Sequence, residues 1–509
     1  MVAKYLKIIV LLAVVLLGGG VSMGQKVINY EAGMGSRKAG DADVWILYQK
    51  VKAEHEGMWL FADSALLNTK KNDFTAYRHI KIILDDTTTI TGDSMYYNGQ
   101  TKIVNIWADT VVFVDGKTVL KSPQLTYDRN TSVATYRWWG HTVNGMRTLD
   151  SRRGYYHSDT EDFEIYDDVV LLDSGSKLVT DTLFYNMKTK ESRFVSPTWI
   201  YSDSTTIYSE RGWYNTDTRY SRSVKGSKVT NGSKVLTSDT LYYDDMAEHG
   251  RAFGHVVIWD TVNDVTCTGM YGETDRKRRL SLVTDSALVI QVEKEKKEDT
   301  LYMHGDTIYV FNTENNDAEL IKAYNRVKVF RGEMQGMSDS VNYWVKDSMV
   351  VMYKEPVLWY DSMQSTADTI VAYHGKEGMK LARLLQEAML VQQIDAEKFN
   401  QVKGKTVVVK FKKGEADVAD VLGNSQMCYY LTEEDTVRNR TSLIGVNAGV
   451  STNMRVYFRD GKPTRVAAFE NPDMATYPVG MLPEEWKRLK GFAWHSDRRP
   501  QKWQDIFVW

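Results

Sequence analysis

The sequence predicts an all-β repeat protein, a β-solenoid, and three observations carry that expectation. A motif of the form Asp-Ser/Thr-x-x-Tyr returns in steps of 29 or 30 residues, as in "GDSMYYN" from Gly92, "TDTLFYN" from Thr180 and "SDTLYYDD" from Ser238. A fixed period of that length marks a stacked array. The motif alternates with the period of two that belongs to strands: Asp239, Leu241 and Tyr243 are expected on one face, Thr240 and Tyr242 on the other. Aromatics supply 12% of the 509 residues and Tyr is twice as frequent as Phe, a bias toward strands.

Taken in order, the first 24 residues read as a signal peptide: Lys4 and Lys7 precede an apolar run from Ile8 to Leu17, and small residues stand at Ser22 and Gly24. Residues 25–42 are a linker and residues 43–398 the repeat region. There the marker position holds Asp63, Asp93, Pro123, Arg152, Asp181, Glu210, Asp239 and Thr268, then Asp306, Asp339 and Asp368. Four residues beyond it an aromatic recurs even where the Asp is lost, at Tyr127, Tyr156 and Tyr214. Each unit reads as two or three short strands with polar corners. "MKLARLLQEAMLVQQ", from Met379 to Gln393, has helical composition, yet it occupies the place of a second strand and is expected to be one. Residues 399–470 continue as strands without the period, the β-structure ending near Phe469, and residues 471–509 form a tail with a short helix.

The same residues speak against several activities. A net charge of -2 gives no reason to expect a nucleic-acid partner. Cys267 and Cys428 could form at most one bridge. "DGKT" at Asp115 and "KGKT" at Lys403 lack the glycine that a phosphate-binding loop needs, and no His or Cys spacing suits zinc. No enzymatic activity and no cofactor is expected. The marker Asp residues are expected to cap turns at exposed corners by accepting backbone N–H groups. The Leu-x-Tyr positions after them either fill a closed core or line an apolar groove. The candidate groove residues are Met95, Tyr97, Leu125, Tyr127, Leu183, Tyr185, Leu241, Tyr243, Val341 and Tyr343.

The pattern Gly/Ser/Thr-Asp-Thr/Ser-Leu-x-Tyr-Asn/Asp, a polar turn, then Ala-x-Gly-x-Val-x-Ile resembles the OstA-like domain of the LptA-type periplasmic lipopolysaccharide-transport proteins. "SDTLYYDDMAEHGRAFGHVVIWDT", with Ala252, Gly254, Val256 and Ile258 in place, carries the resemblance best. The resemblance implies a β-jellyroll folded like a taco, whose interior holds the acyl chains of lipopolysaccharide. It further implies end-to-end pairing with other transport components, or with a second copy, through open edge strands. On this reading the protein is a periplasmic bridge or chaperone contributing to outer-membrane assembly. The other reading of the 14 Trp and 30 Tyr is a structural or glycan-binding solenoid at the cell surface.

Overall fold

A computed structural model describes residues 26–293, 299–435, 440–459 and 462–509; the expected signal peptide lies outside them. The described chain divides into two compact units, the first ending at Ser196 and the second beginning at Pro197. Both are built almost wholly from antiparallel strands.

In the first unit, strands Met58–Asn68, Asp73–Ile83, Thr88–Asn98, Ile103–Asp115 and Thr118–Asp128 each pair with the next. One repeat is therefore a hairpin of two strands, within the expected two or three, and these strands are long, 11 residues each in Met58–Asn68 and Asp73–Ile83. Each strand bends in its middle, so that it has a first arm and a second arm. At the bend one residue faces two: Gly92 pairs with Ile80 and Ser94 with Tyr77, leaving Asp93 opposite Arg78 and His79. Those two residues have φ of 66° and 49°. This is a β-bulge, which turns a strand sharply and increases its twist.

The bend also shifts the phase of the side chains. In Thr88–Asn98 the buried residues are Thr88 and Ile90, then Met95 and Tyr97, an odd step across the corner. At a convex corner two successive residues can both face outward. Asp239 accordingly does not share a face with Leu241 and Tyr243; it is exposed, while both of them are buried.

The residue before each bend is small: Ala62, Gly92, Ser122, Ser151, Thr180, Ser209, Ser238, Gly305, Ser338 and Ala367. A Cβ at Gly92 would lie 2.7 Å from Ile106, so the inside of the corner has no room for a larger group. Where Ser stands there, its hydroxyl donates to the carbonyl two residues on, as Ser238 does to Thr240 at 3.0 Å and Ser338 to Ser340 at 3.0 Å.

The second unit repeats this design and corrects three expectations. At the eighth marker the bend lies at Met270, which faces Gly254 and His255, and not at Thr268, which is paired with Val257 and Leu288. The bends continue where the sequence period fades: Lys405 faces Gln386 and Glu387, and Thr452 faces Gly423 and Asn424. The arms there are simply longer, in strands Glu415–Asp435 and Arg440–Arg459. The β-structure ends at Tyr477, because strand Asp473–Tyr477 pairs with Val446–Val450 beyond the expected limit at Phe469. The ambiguous segment is strand Gly378–Gln393, as expected, paired on both sides and bent at Gln386 and Glu387. Its alternating contacts with two neighbouring strands override its helical propensity.

After Tyr477 the tail forms one helical turn, Glu484–Lys487, and short 3-10 turns. It lies on the outer face of one arm of the second unit. Its contacts fall on one row, four residues before successive bends: Trp503 stacks on Tyr302, Arg499 Nε donates to Gln335, His495 N to Gln364 and Leu489 N to Gln401.

Candidate functional site

The ten candidate groove residues lie on the inner faces of the arms. All are buried, with 0 to 6% of their surface exposed. They contact the opposite arm across the interior. Phe113, beyond the bend of strand Ile103–Asp115, meets the rings of Tyr127 at 5.8 Å and Tyr156 at 5.9 Å across the interior. Such rings contribute both apolar area and edge-to-face attraction. The inner column is apolar and closed. In the second unit an apolar cavity lined by Met363, Leu390, Met427 and Val466 measures about 30 Å³, a space on the scale of a water molecule or two.

Tyr recurs in this column because its hydroxyl has a partner, not because it reaches a wet rim. Tyr97 Oη lies 2.6 Å from His55 Nδ1 and accepts from Arg129 Nη1 at 3.2 Å. Tyr156 Oη donates to Asp115 at 2.8 Å, and Tyr343 Oη donates to Gln291. Burial pushes the Tyr97 hydroxyl above its ordinary pKa; burial together with the Asp115 carboxylate does the same to Tyr156. Each of these bonds joins an inner-column Tyr to the last residue of another strand, at a hairpin tip: His55, Asp115 and Gln291.

The rim between the two sets of hairpin tips is tied in the same way. Lys102, at the tip before Ile103, pairs with Glu56, at the tip before Met58, at 2.5 Å, and Arg129 donates to the carbonyls of His55 and Glu56 at 3.2 and 3.0 Å. In the second unit Lys234 Nζ reaches Asn312 at 3.0 Å, and Asp260 accepts from the Ala318 N–H at 2.6 Å. Burial alone would raise the Asp260 carboxyl, but Lys234 and the hydrogen bonds from Asn263 and Ala318 hold it below the usual carboxylate range. The ties are separated by 26 to 78 residues along the chain in cases such as Lys234 with Asp260 and Asn312, so no local motif announces them.

Of the marker carboxylates, Asp63, Asp93, Asp181, Asp239 and Asp368 are exposed, as expected, while Glu210, Asp306 and Asp339 are half-buried; they do not cap turns. Asp63 pairs with His79 and Asp239 with His255, each at 2.8 Å; Glu210 pairs with Lys225 at 2.6 Å and Asp339 with Lys354 at 2.8 Å. Each partner sits on the bulge of the next strand. The turns are capped instead by the residue five positions later: Asn68, Asn98, Asn186 and Asn215 each accept backbone N–H groups at the hairpin tip. His249 bonds Glu273 at 2.8 Å. Among the described residues no three His, Cys, Asp or Glu side chains converge as a metal site would require. Cys267 and Cys428 are both buried thiols, not joined to each other; burial pushes Cys267 up to about 12 and Cys428 to about 11.

One part of this array of bent hairpins matches a known family. Residues 26–181 match the family of OstA-like proteins. That segment is similar to OstA-like proteins. The OstA-like family is a transport and binding family of the periplasm, related to lipopolysaccharide transport, and is not known for enzymatic activity. The match ends at Asp181, whereas the bends continue to Thr452 with the same one-against-two register. No curated protein matches the chain. Among the described residues no helix is long and apolar enough to cross a membrane.

Proposed function

We propose that the protein is an exported periplasmic component of lipopolysaccharide transport that shields acyl chains between the two arms of its strands. The observation that carries this reading is the apolar inner face of the arms, with Met95, Tyr97, Leu125, Tyr127, Leu183 and Tyr185 buried in the first unit and Leu241, Tyr243, Val341 and Tyr343 buried in the second. The column is filled by its own side chains, so an acyl chain enters only when the arms part at the rim.

Magnitudes favour that step. An acyl chain gains about 0.8 kcal/mol per methylene removed from water. A partly exposed ion pair such as Lys102 with Glu56 contributes about 1 kcal/mol or less. Ten buried methylenes, at roughly 8 kcal/mol, outweigh several such ties. Release is correspondingly costly, so directional flow needs energy from another component, and this protein acts as conduit and not as motor.

The ends of the array fit coupling to other transport components or to a second copy. Strands Asn29–Glu31 and Met34–Lys38 pair with the two arms of Asp41–His55, and every residue of both is exposed. Short exposed edge strands are templates for strand addition. A photo-crosslinking residue at Leu125 or Leu241 is expected to capture lipopolysaccharide in cells, and one at Thr126 or Tyr242 to capture far less. Equal labelling at all four positions would sink the inner-column reading. Depletion of the protein is expected to make lipopolysaccharide accumulate at the inner membrane.

A further inference from the structure

At one corner of the first unit the ladder breaks, as it also does in the second unit between strands Met349–Tyr353 and Val357–Tyr360. Between strands Val133–Tyr136 and Gly140–Asn144 the ladder is interrupted by Arg137, Trp138 and Trp139; between Arg147–Ser151 and Arg153–His157 it is interrupted by Arg152. Tyr136 pairs with Gly154 and Gly140 with Ser151, so three residues face two across a gap in the hydrogen bonding. The gap opens into a cleft of about 660 Å³ lined by Thr135, Tyr136, Arg137, Trp138, Arg152, Arg153, Gly154, Tyr155 and Asp167.

Its floor is rigid. The Tyr136 ring runs beneath Gly140 and Gly154, where a Cβ would lie 2.2 and 2.6 Å from it, and its hydroxyl meets Ser151 Oγ at 2.6 Å. Its walls are cationic. Three guanidiniums face two carboxylates: Arg152 pairs with Asp168 at 2.5 Å and Arg153 with Asp167 at 2.6 Å, while Arg137 carries no ion pair among the described residues. At Asp63, Glu210, Asp239, Asp306 and Asp339 the marker is a carboxylate answered by a cation; here the marker is Arg152, answered by Asp168 on a bulge that Asp181 faces from its other side. Trp138 stands over the cleft 76% exposed, at φ 86°, a backbone conformation that is costly for a bulky residue. Such outliers persist where the surroundings hold them, often at ligand sites.

We propose that this cleft binds a phosphorylated sugar, with the guanidiniums of Arg137, Arg152 and Arg153 on the phosphate and Trp138 and Tyr155 against the apolar face of the pyranose ring. Guanidinium forks match phosphate oxygens in two-pronged hydrogen bonds, and Arg152 and Arg153 keep N–H donors beyond those used by their carboxylates. An aromatic ring offers a flat apolar surface at little cost in side-chain entropy. The shape suits a sugar better than a bare ion, which would leave the aromatic wall unused. The proposal does not depend on acyl chains entering the inner column, because the cleft opens at the outer corner. The phosphorylated sugar can come from a glycolipid headgroup or from a soluble sugar phosphate.

Calorimetric titration of the full mature chain separates these cases. Glucose 1-phosphate is expected to bind saturably, inorganic phosphate more weakly and glucose not at all. Arg137→Gln, which removes no internal ion pair, is expected to weaken glucose 1-phosphate about tenfold. Trp138→Gly, which relieves the positive φ, is expected to abolish the preference for the sugar phosphate over inorganic phosphate. Tighter binding of a phosphorylated diglucosamine lipid in micelles than of its deacylated form assigns the cleft to a headgroup; equal binding assigns it to soluble sugar phosphates. No heat with any phosphorylated probe, equal affinity for inorganic phosphate, or unchanged binding by a folded Arg137→Gln protein would overturn it. Crosslinking at Leu125 is unaffected by either variant, so failure here is distinguishable from failure of the acyl-chain reading.

Discussion

Strands Met58–Asn68 and Met334–Trp344 have the same length and bend at the same place, at Asp63 and Asp339, yet they are buried differently. In the first, burial alternates along the strand. In the second, the five residues Met334 to Ser338 are all buried, and alternation returns only in the other arm. The inner face is set by the repeat in both. The outer face of the second is covered by the C-terminal tail, through Arg499 to Gln335 and the neighbouring contacts at Gln364 and Gln401. Periodicity therefore fixes one side of the sheet, and a non-periodic segment decides the other.

The largest effects should separate the two regions. Phe113→Ala, in the inner column of the first unit, is expected to cost about 3 to 5 kcal/mol and to leave hydrogen exchange in the tail unchanged. Phe399→Ala, whose ring packs on Phe492 at 5.1 Å and Trp494 at 5.3 Å, should cost as much while accelerating exchange in residues 483–509. Acceleration of tail exchange by both variants would mean that the regions do not differ as described. Gln401→Leu is expected to cost about 1 to 3 kcal/mol, because it strands the buried Leu489 N–H and the Lys487 carbonyl that Gln401 satisfies at 2.9 Å each. The same change at Thr89, the equivalent outward position in the first unit, should cost far less in chemical denaturation.

Acid should also distinguish them. His304, against the Phe507 ring at 4.6 Å, is held below its ordinary pKa of 6.5 by burial, and so is His495 in the tail. Protonation therefore favours the open form. The stabilisation is complete above pH 6.5 and is lost as pH falls toward the depressed values, so tail exchange, corrected for intrinsic rates, should rise between pH 7.5 and about 5.5. His304→Gln should flatten that response. The smallest effect is expected at the corners: Asp239→Asn removes an exposed pair with His255 and should change stability by less than about 1 kcal/mol.

Much of this design is legible in the sequence because its strongest signals are local. The 29-residue step locates most bends, and apolar residues two and four positions after the marker locate the inner column. The assignment of Met379–Gln393 to a strand follows from phase, not propensity. What escaped is what depends on geometry beyond the strand. The phase slip at the bulge put Asp239 on the wrong face, since strict alternation has no provision for two successive outward residues. Thr268 keeps the spacing of a marker and Met270 does not, so spacing alone points two residues short of the bend. The small residue before each bend was visible in retrospect as Ala, Gly, Ser or Thr, but it becomes meaningful only once the corner is known to be narrow. The rim ties and the Gln335, Gln364 and Gln401 row join residues 26 to 164 positions apart, and the Arg137 cleft arises from a break in pairing that composition does not encode.

The single extra residue in each bulge also governs how such a protein can change over generations. Adding or deleting one residue within an arm would turn every side chain between that point and the hairpin tip inside out. Tips are free of that penalty, and whole hairpins can be copied because each carries its own corner. Lineages of this protein should therefore differ in length by tip insertions and by complete hairpins, with the arms between bend and tip changing only by even numbers of residues.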